Sequence, residues 1–144
     1  PVSSNAARVL TPHPGEAARM LGKTTAEVQA DRMGTLRALS ERFGHAWVVL
    51  KGYHTLVGRS QGPVFVNCSG NPYLAQGGSG DVLAGFLAGL LAQPELQTDP
   101  GRTVRYAVWQ HGHAADVLSG WVGAMAETRR AGWTVEDLVI QLGH

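Results

Sequence analysis

The chain has 144 residues, of which 44% are hydrophobic and 16% are charged, which is enough apolar material for one ordinary core and one domain. Its 12 basic and 11 acidic side chains form no long run of one sign, which argues against a nucleic acid as partner. Cys68 is the only cysteine, so an intramolecular disulfide and a thiolate metal cage are excluded and the cytoplasm is the expected compartment. The longest apolar stretch, residues 82–92, is too short to cross a bilayer, so we expect no membrane partner.

The first third of the sequence predicts one short strand and two helices. Residues 8–11 predict a very short strand, and a proline-rich turn follows it. The pattern EAARMLG predicts a short helix that Gly22 closes. Residues 24–44 predict a single longer helix that begins with a capping box, in which the Thr24 hydroxyl and the Glu27 carboxylate each satisfy a free backbone amide.

The middle of the chain predicts strands, and the end predicts helices. The segment AWVVLKG predicts a central strand covered on both faces, because its Val/Leu run is unbroken, and it places Lys51 and Gly52 at the carboxyl end of that strand. HTLVG and PVFVNCS predict two further strands joined as a hairpin across RSQG. Residues 101–120 and 133–143 each predict an amphipathic helix, so the whole pattern indicates one layered α/β structure.

Between the strands and the later helices lies NPYLAQGGSGDVLAGFLAGLLAQ, in which glycines and a serine precede one aspartate. The glycines at 77, 78 and 80 allow backbone amides to approach a ligand closely. The helix that starts there adds unpaired N–H groups and a positive dipole end, so the segment predicts an anion-binding loop. Gly85 and Gly89 follow, and we interpret their spacing as close packing of a buried helix.

Asp81 does not fit a loop that only binds phosphate, because its side chain is charged at neutral pH and repels phosphate. Two roles are open for this aspartate. It either caps the helix that follows, or it orients or deprotonates a substrate hydroxyl. In the second role, the loop amides would hold the phosphoryl group that this hydroxyl attacks.

The histidines of the segment HGHAADVLSG do not predict a metal site. His111 and His113 are two residues apart, so on a helix they point in nearly opposite directions and cannot share a metal ion. We expect structural roles for both and assign no metal ligand in the chain.

The glycine-rich segment, together with LTPHPGEAARML and VVLKGYHTLV, resembles the carboxyl-terminal half of the ADP/ATP-dependent NAD(P)H-hydrate dehydratases, members of the ribokinase-like superfamily. The three motifs occur in the family's order, and HGHAADVLSG is a fourth, weaker one. The resemblance implies that residues 1–144 are the carboxyl-terminal part of a single domain with a three-layer α/β/α ribokinase-like fold. It also implies repair of hydrated NADH or NADPH, with ADP or ATP and usually Mg²⁺ turning the hydrate hydroxyl into a phosphate leaving group.

The resemblance assigns roles at the matching positions. Asp81 corresponds to the catalytic base at the hydrate, and His13 corresponds to a residue that contacts the hydrated dinucleotide, with Glu16 nearby. The residues that correspond to the adenine-nucleotide site are Lys51, Gly52, Tyr53, His54, Thr55 and Gly80. The amides that correspond to the anion hole are those of Gly77, Gly78, Ser79 and Gly80.

Two alternatives to the dehydratase stay open. A kinase of the same superfamily, acting on a hydroxymethylpyrimidine, a thiazole or a sugar alcohol, would use the same loop and aspartate, although TPHPGE favours the dehydratase. An inactive nucleotide-binding fragment is the other alternative, because the family's domain is longer than this chain. Part of such a domain exposes sheet edge and apolar surface, so we expect the chain to form a homo-oligomer.

Overall fold

The structure is a computed structural model that describes residues 7–121 and 132–143. Its strands are Val9–Leu10 (β1), Trp47–Leu50 (β2), Leu56–Gly58 (β3) and Phe65–Val66 (β4). Its α-helices are Pro14–Leu21 (α1), Thr25–Ala30 (α2), Arg32–Arg42 (α3), Ser79–Leu91 (α4), Pro100–Leu118 (α5) and Val135–Leu142 (α6). Two short 3-10 helices, Pro72–Leu74 and Pro94–Gln97, flank α4.

The four strands form one sheet in the order β1-β2-β3-β4. β1 is parallel to β2, and Leu10 pairs with Val48. The pairs β2-β3 and β3-β4 are antiparallel, which confirms the hairpin predicted from the sequence. Because β1, β2 and β4 run in the same direction, their carboxyl ends meet at one edge of the sheet.

Helices cover both faces of the sheet, which confirms the three-layer α/β/α fold. Val48 and Leu50 are fully buried against α1, α2 and α3, in a cluster that includes Leu36 and Leu39. On the opposite face Val49 packs into a second cluster with residues of α4 and α5. β2 is therefore the central, doubly covered strand that the unbroken Val/Leu run predicts.

The prediction of one long helix over residues 24–44 is wrong, because the helix is interrupted at Asp31. Asp31 has φ −139° and ψ 74°, which is outside the helical region, and it ends α2. Its carboxylate accepts a hydrogen bond from the Gly34 amide at 2.8 Å, so the same residue is the N-cap of α3. The apolar periodicity continues across the break, and for this reason the sequence pattern did not reveal it.

The packing role predicted for Gly85 and Gly89 in α4 is also wrong. Both glycines are exposed, and a Cβ atom built on either would meet no heavy atom within 4 Å. α4 buries only one side, with Leu83 and Leu87 in the core. The two later helices lie where the sequence predicts them, as α5 and α6. Within the described residues, no helix combines the length and the apolar character that crossing a membrane requires.

Candidate functional site

A cleft of about 1440 Å³ opens at the edge where β1, β2 and β4 end. The predicted site residues that line it are His13, Lys51, Gly52, Tyr53, His54, Thr55, Gly78, Ser79, Gly80 and Asp81. Gly77 is not among the lining residues, so the cleft contains all of the predicted set except this glycine. Small-molecule pockets measure roughly 300–1000 Å³, so the cleft is larger than a typical site for one small molecule.

His13 lies at the carboxyl end of β1, where it begins α1. Its Nδ1 atom accepts hydrogen bonds from the amides of Gly15 and Glu16, at 3.1 and 3.2 Å. In a neutral ring the proton therefore lies on Nε2, which is 3.5 Å from the Glu16 carboxylate. A backbone hydrogen bond from His13 lowers the pKa of Glu16, with a smaller lowering by the charge of Lys51. His13 thus has a fixed orientation and can offer one N–H donor to a ligand.

Lys51 follows β2 and lies beside the His13 turn. Its amide donates to the Pro12 carbonyl at 2.9 Å, which joins the ends of the two parallel strands. Its ammonium Nζ lies 2.9 Å from the point that a Cβ atom on Gly80 would occupy. The ammonium therefore lies against the first turn of α4, where a negatively charged group would be attracted by both.

The glycine loop leads into α4 through a left-handed residue. Gly78 has φ +88° and is the N-cap of the helix. The Ser79 hydroxyl donates to the Leu74 carbonyl at 2.6 Å, so this hydroxyl holds the loop together. The amides of Gly80 and Asp81 lie in the first turn and have no acceptor within the helix. These two amides, beside the ammonium of Lys51, are the donors that the loop presents to an anion.

Asp81 does not cap α4, so the structure removes one of the two roles that the sequence left open for it. The N-cap is Gly78, and no side chain makes a capping hydrogen bond there. Asp81 is the third residue of the helix, is exposed and lines the cleft. A carboxylate at this position can accept a proton from a group bound in the cleft.

The chain matches the family model described as NAD(P)H-hydrate dehydratase over residues 2–133. It belongs to the NAD(P)H-hydrate dehydratase family. It is 48% identical, over 82% of its length, to the ADP-dependent (S)-NAD(P)H-hydrate dehydratase of Neisseria meningitidis. It is 47% identical, over 86% of its length, to a bifunctional NAD(P)H-hydrate repair enzyme of Gloeobacter violaceus. The chain spans 38% and 24% of the lengths of these two relatives.

Solved structures agree with the family and with the fold. The ADP/ATP-dependent NAD(P)H-hydrate dehydratase of Bacillus subtilis, co-crystallized with ATP/Mg²⁺, superposes with a TM-score of 0.79 at 32% identity. The match covers 94% of this chain and 45% of that protein. A ribokinase-like superfamily protein of Enterococcus faecalis matches with a TM-score of 0.67 at 28% identity. The predicted ribokinase-like fold is therefore confirmed for the part that this chain represents.

In this member of the dehydratase family, α5 fixes the loop that precedes α4. Asp116 is buried, and its carboxylate accepts from the Gly70 amide at 2.8 Å and from Nδ2 of Asn71 at 2.9 Å. A Cβ atom on Gly112 would lie 2.6 Å from the carbonyl carbon of Ser69, so helix and loop are in close backbone contact. Asp116 and Asn71 are not among the site residues predicted from the sequence. The available signal was a carboxylate on the buried face of a predicted helix, where it requires a partner.

His111 connects α5 to the end of the loop at Ser79, and it has the structural role that we expected. Its Nε2 donates to the Ser79 carbonyl at 2.9 Å, and the side chain is buried. Burial lowers its pKa below the usual 6.5, the hydrogen bond with Ser79 opposes this change, and the charge of Lys51 lowers the pKa further. The ring is therefore neutral in the folded protein near neutral pH.

We expect the free energy of unfolding to fall in acid through His111. Its pKa is lower in the folded than in the unfolded chain, so its contribution is complete above the unfolded value of 6.5 and is lost as the pH falls below it. His111→Gln retains an N–H donor for Ser79 but does not titrate. Urea unfolding at about pH 7.5 and about pH 5.5 should show a smaller pH dependence for His111→Gln than for the parent. Equal pH dependence would contradict the burial argument.

Proposed function

We propose that the protein containing this chain converts hydrated NADH or NADPH back to the working cofactor in a reaction that consumes ADP or ATP. The observation that carries the proposal is the convergence of three separated motifs on one cleft: the His13 turn, the 51–55 loop and the start of α4. We further propose that residues 1–144 form the carboxyl-terminal part of one dehydratase domain. The two sequence relatives and the Bacillus subtilis structure described above are named as dehydratases or repair enzymes, which favours dehydration over the kinase alternative.

The phosphates of the nucleotide would lie at the start of α4. The ammonium of Lys51 and the amides of Gly80 and Asp81 lie close to that point. The remainder of the 51–55 loop lines the same side of the cleft and includes Tyr53, whose side chain is 86% exposed. We propose that this loop holds the nucleotide. The nucleotide, when bound, supplies the phosphoryl group that makes the hydrate hydroxyl a leaving group.

Asp81 and His13 would act on the hydrated dinucleotide. Asp81 is exposed to the cleft one residue after Gly80, so it can take the proton of a hydroxyl that lies next to the phosphoryl group. His13 lies across the cleft with its ring held by two backbone amides, so it can position the dinucleotide through its Nε2 hydrogen. Proton removal and substrate binding are therefore assigned to different elements, because Asp81 lies on α4 and His13 is the N-cap of α1.

Magnesium fits this cleft as a companion of the nucleotide. Across residues 7–121 and 132–143, no group of three or more His, Cys, Asp or Glu side chains could hold a metal ion. Mg²⁺ commonly binds through phosphate oxygens, waters and one or two carboxylates, and Glu16 and Asp81 are carboxylates that line the cleft. We propose that Mg²⁺ is held chiefly by the nucleotide and would neutralise part of the phosphate charge. A cytoplasmic location stays our prediction, as does self-association.

The proposal predicts that ADP or ATP stabilises the intact protein, and that Lys51 is needed for this effect. At about a hundredfold excess of nucleotide over its Kd, the free energy of unfolding should rise by about 2.7 kcal/mol. Lys51→Met removes the charge but keeps a side chain of similar length, and should raise the nucleotide Kd about tenfold or more. Thermal shift and calorimetry with Mg²⁺ present measure both effects.

A control variant is available, because Lys23 is the only other lysine in the chain. Lys23 is exposed between α1 and α2 and does not line the cleft, so Lys23→Met should bind nucleotide like the parent. Activity is then tested by adding hydrated NADH with nucleotide and following the return of NADH, beside a reaction without nucleotide. A parent protein that neither binds adenine nucleotide nor restores NADH would refute the proposed function.

A further inference from the structure

Arg32, the first residue of α3, reaches across to the 51–55 loop from outside the cleft. Its Nη1 donates to the Tyr53 carbonyl at 2.6 Å, and its Nη2 donates to the Leu50 carbonyl at 3.2 Å. Arg32 is not among the residues that line the cleft. The guanidinium therefore joins the last residue of β2 to the middle of the loop, and it does so without facing the ligand space.

The loop that Arg32 holds has an unusual backbone. Gly52 has φ +137° and His54 has φ +54°, so two of its five residues adopt conformations that ordinary side chains rarely adopt. Within the loop, the Thr55 hydroxyl donates to the Gly52 carbonyl at 3.1 Å. Side-chain donors from outside and inside the loop thus bind the carbonyls of Tyr53 and Gly52, and a backbone of this kind keeps its shape only when such contacts hold it.

Holding the Arg32 side chain against the carbonyls of Leu50 and Tyr53 has an energetic cost. Its Nε is buried and has no hydrogen-bond acceptor among the residues that the structure describes. No carboxylate of the described residues lies within salt-bridge distance of the guanidinium. A partly buried positive charge without a negative partner is unfavourable, which indicates that its two backbone contacts have a specific role.

We propose that Arg32 is a positioning residue for the nucleotide, which sets the shape of the 51–55 loop by binding the carbonyls of Leu50 and Tyr53. The inference rests on the proposed function, in which this loop holds ADP or ATP. Gly52 packs directly against the guanidinium, because a Cβ atom on Gly52 would lie 3.3 Å from Nη2 of Arg32, and Arg32 itself does not line the cleft. Arg32 therefore acts through the loop and does not touch the nucleotide.

A second arginine of α3 provides a matched control. Arg37 donates to the carbonyls of Arg59, Ser60 and Gly62, each at 3.0 Å, and so holds the turn between β3 and β4 in the same manner. That turn does not line the cleft. Arg37→Ala should therefore lower stability through the same kind of lost contact, and it should leave the affinity for nucleotide unchanged.

The test compares Arg32→Ala, Arg32→Lys and Arg37→Ala in the intact protein. We expect Arg32→Ala to raise the Kd and KM for ADP or ATP about tenfold, with kcat at saturating nucleotide within about twofold of the parent. Arg32→Lys should recover part of the affinity, because a lysine supplies a charge but lacks the planar fork that reaches two carbonyls. If Arg32→Ala fails to fold, the nucleotide Kd of Arg32→Lys is compared with that of the parent. A raised Kd supports the proposal, and a parental Kd contradicts it.

Hydrogen–deuterium exchange without nucleotide separates this inference from the proposed function. Exchange in the 51–55 loop should be about tenfold faster in Arg32→Ala than in the parent, and in Arg37→Ala the increase should be confined to the β3-β4 turn. Parental nucleotide affinity in Arg32→Ala, or an unchanged rate of exchange in its 51–55 loop, would overturn the role of Arg32. A parent that binds no nucleotide while Arg32→Ala loosens the loop would instead refute the proposed function and retain Arg32 as the residue that orders the loop.

Discussion

Asp81→Asn should reduce the turnover of hydrated NADH by about a hundredfold to ten-thousandfold, which is the usual effect of removing a general base. Asparagine has nearly the same shape but cannot take up the hydroxyl proton. Because Gly78 is the N-cap of α4 and no side chain caps this helix, the substitution removes no structural hydrogen bond. The free energy of unfolding should change by less than about 1 kcal/mol, which is the limit for one charge near an exposed helix end.

The same substitution should leave nucleotide affinity unchanged or improve it, because it removes a negative charge beside the phosphate site. Asp99→Asn is the control, since Asp99 caps α5 by accepting from the Arg102 amide at 3.0 Å and does not line the cleft. Asp99→Asn should keep the parental turnover. An Asp81→Asn enzyme that dehydrates the hydrate at nearly the parental rate would refute the catalytic role of Asp81.

Asp116→Asn should destabilise the protein by about 2–3 kcal/mol and also reduce turnover at least about tenfold. The Asp116 carboxylate accepts from two donors, the Gly70 amide and Nδ2 of Asn71, whereas an asparagine would direct its own NH₂ group at one of them. Asn71 cannot rotate its amide to compensate without losing the hydrogen bond that its Oδ1 accepts from the Tyr73 amide at 3.1 Å. One buried donor is therefore left unpaired, and the segment that leads to α4 is displaced.

Asp137→Asn is the control, because it also removes a carboxylate that accepts from two donors, but it does so at an exposed site. Asp137 accepts from the amide and the hydroxyl of Thr134 at the start of α6, at 2.7 and 3.1 Å, in an exposed capping box. The change there should cost about 1 kcal/mol or less and leave turnover intact. Chemical denaturation and turnover measured on both variants make the comparison. Equal effects of Asp116→Asn and Asp137→Asn would show that the buried network around Asn71 does not fix the loop.

The sequence was sufficient to predict features that depend on local patterns. The unbroken Val/Leu run predicted β2 as the covered central strand, and GGSGD predicted a loop that leads into a helix N-terminus. The position of Lys51 at the end of β2 was predicted in the same way. Its proximity to Gly80 was not predicted from spacing, because these residues lie on different elements and are brought together only by the order of the strands.

The features that the sequence did not reveal depend on contacts between distant elements. The break at Asp31 interrupts a segment whose apolar pattern continues, and it is decided by one side chain that accepts from the Gly34 amide. The roles of Arg32 and Asp116 depend on backbone groups 18 and 46 residues away. Sequence periodicity contains no information about such partners, although a charged residue on the buried face of a helix indicates that a partner exists.

The most direct measurement of the proposed chemistry is a product balance on the intact protein, with hydrated NADH, ATP and Mg²⁺ supplied together. We expect NADH, ADP and inorganic phosphate to form in equal amounts, with no hydrate consumed when the nucleotide is omitted. With ADP as the co-substrate, AMP should replace ADP among the products. A phosphorylated product that accumulates in place of NADH would indicate a kinase, and unchanged hydrate in the presence of bound nucleotide would contradict the dehydratase function.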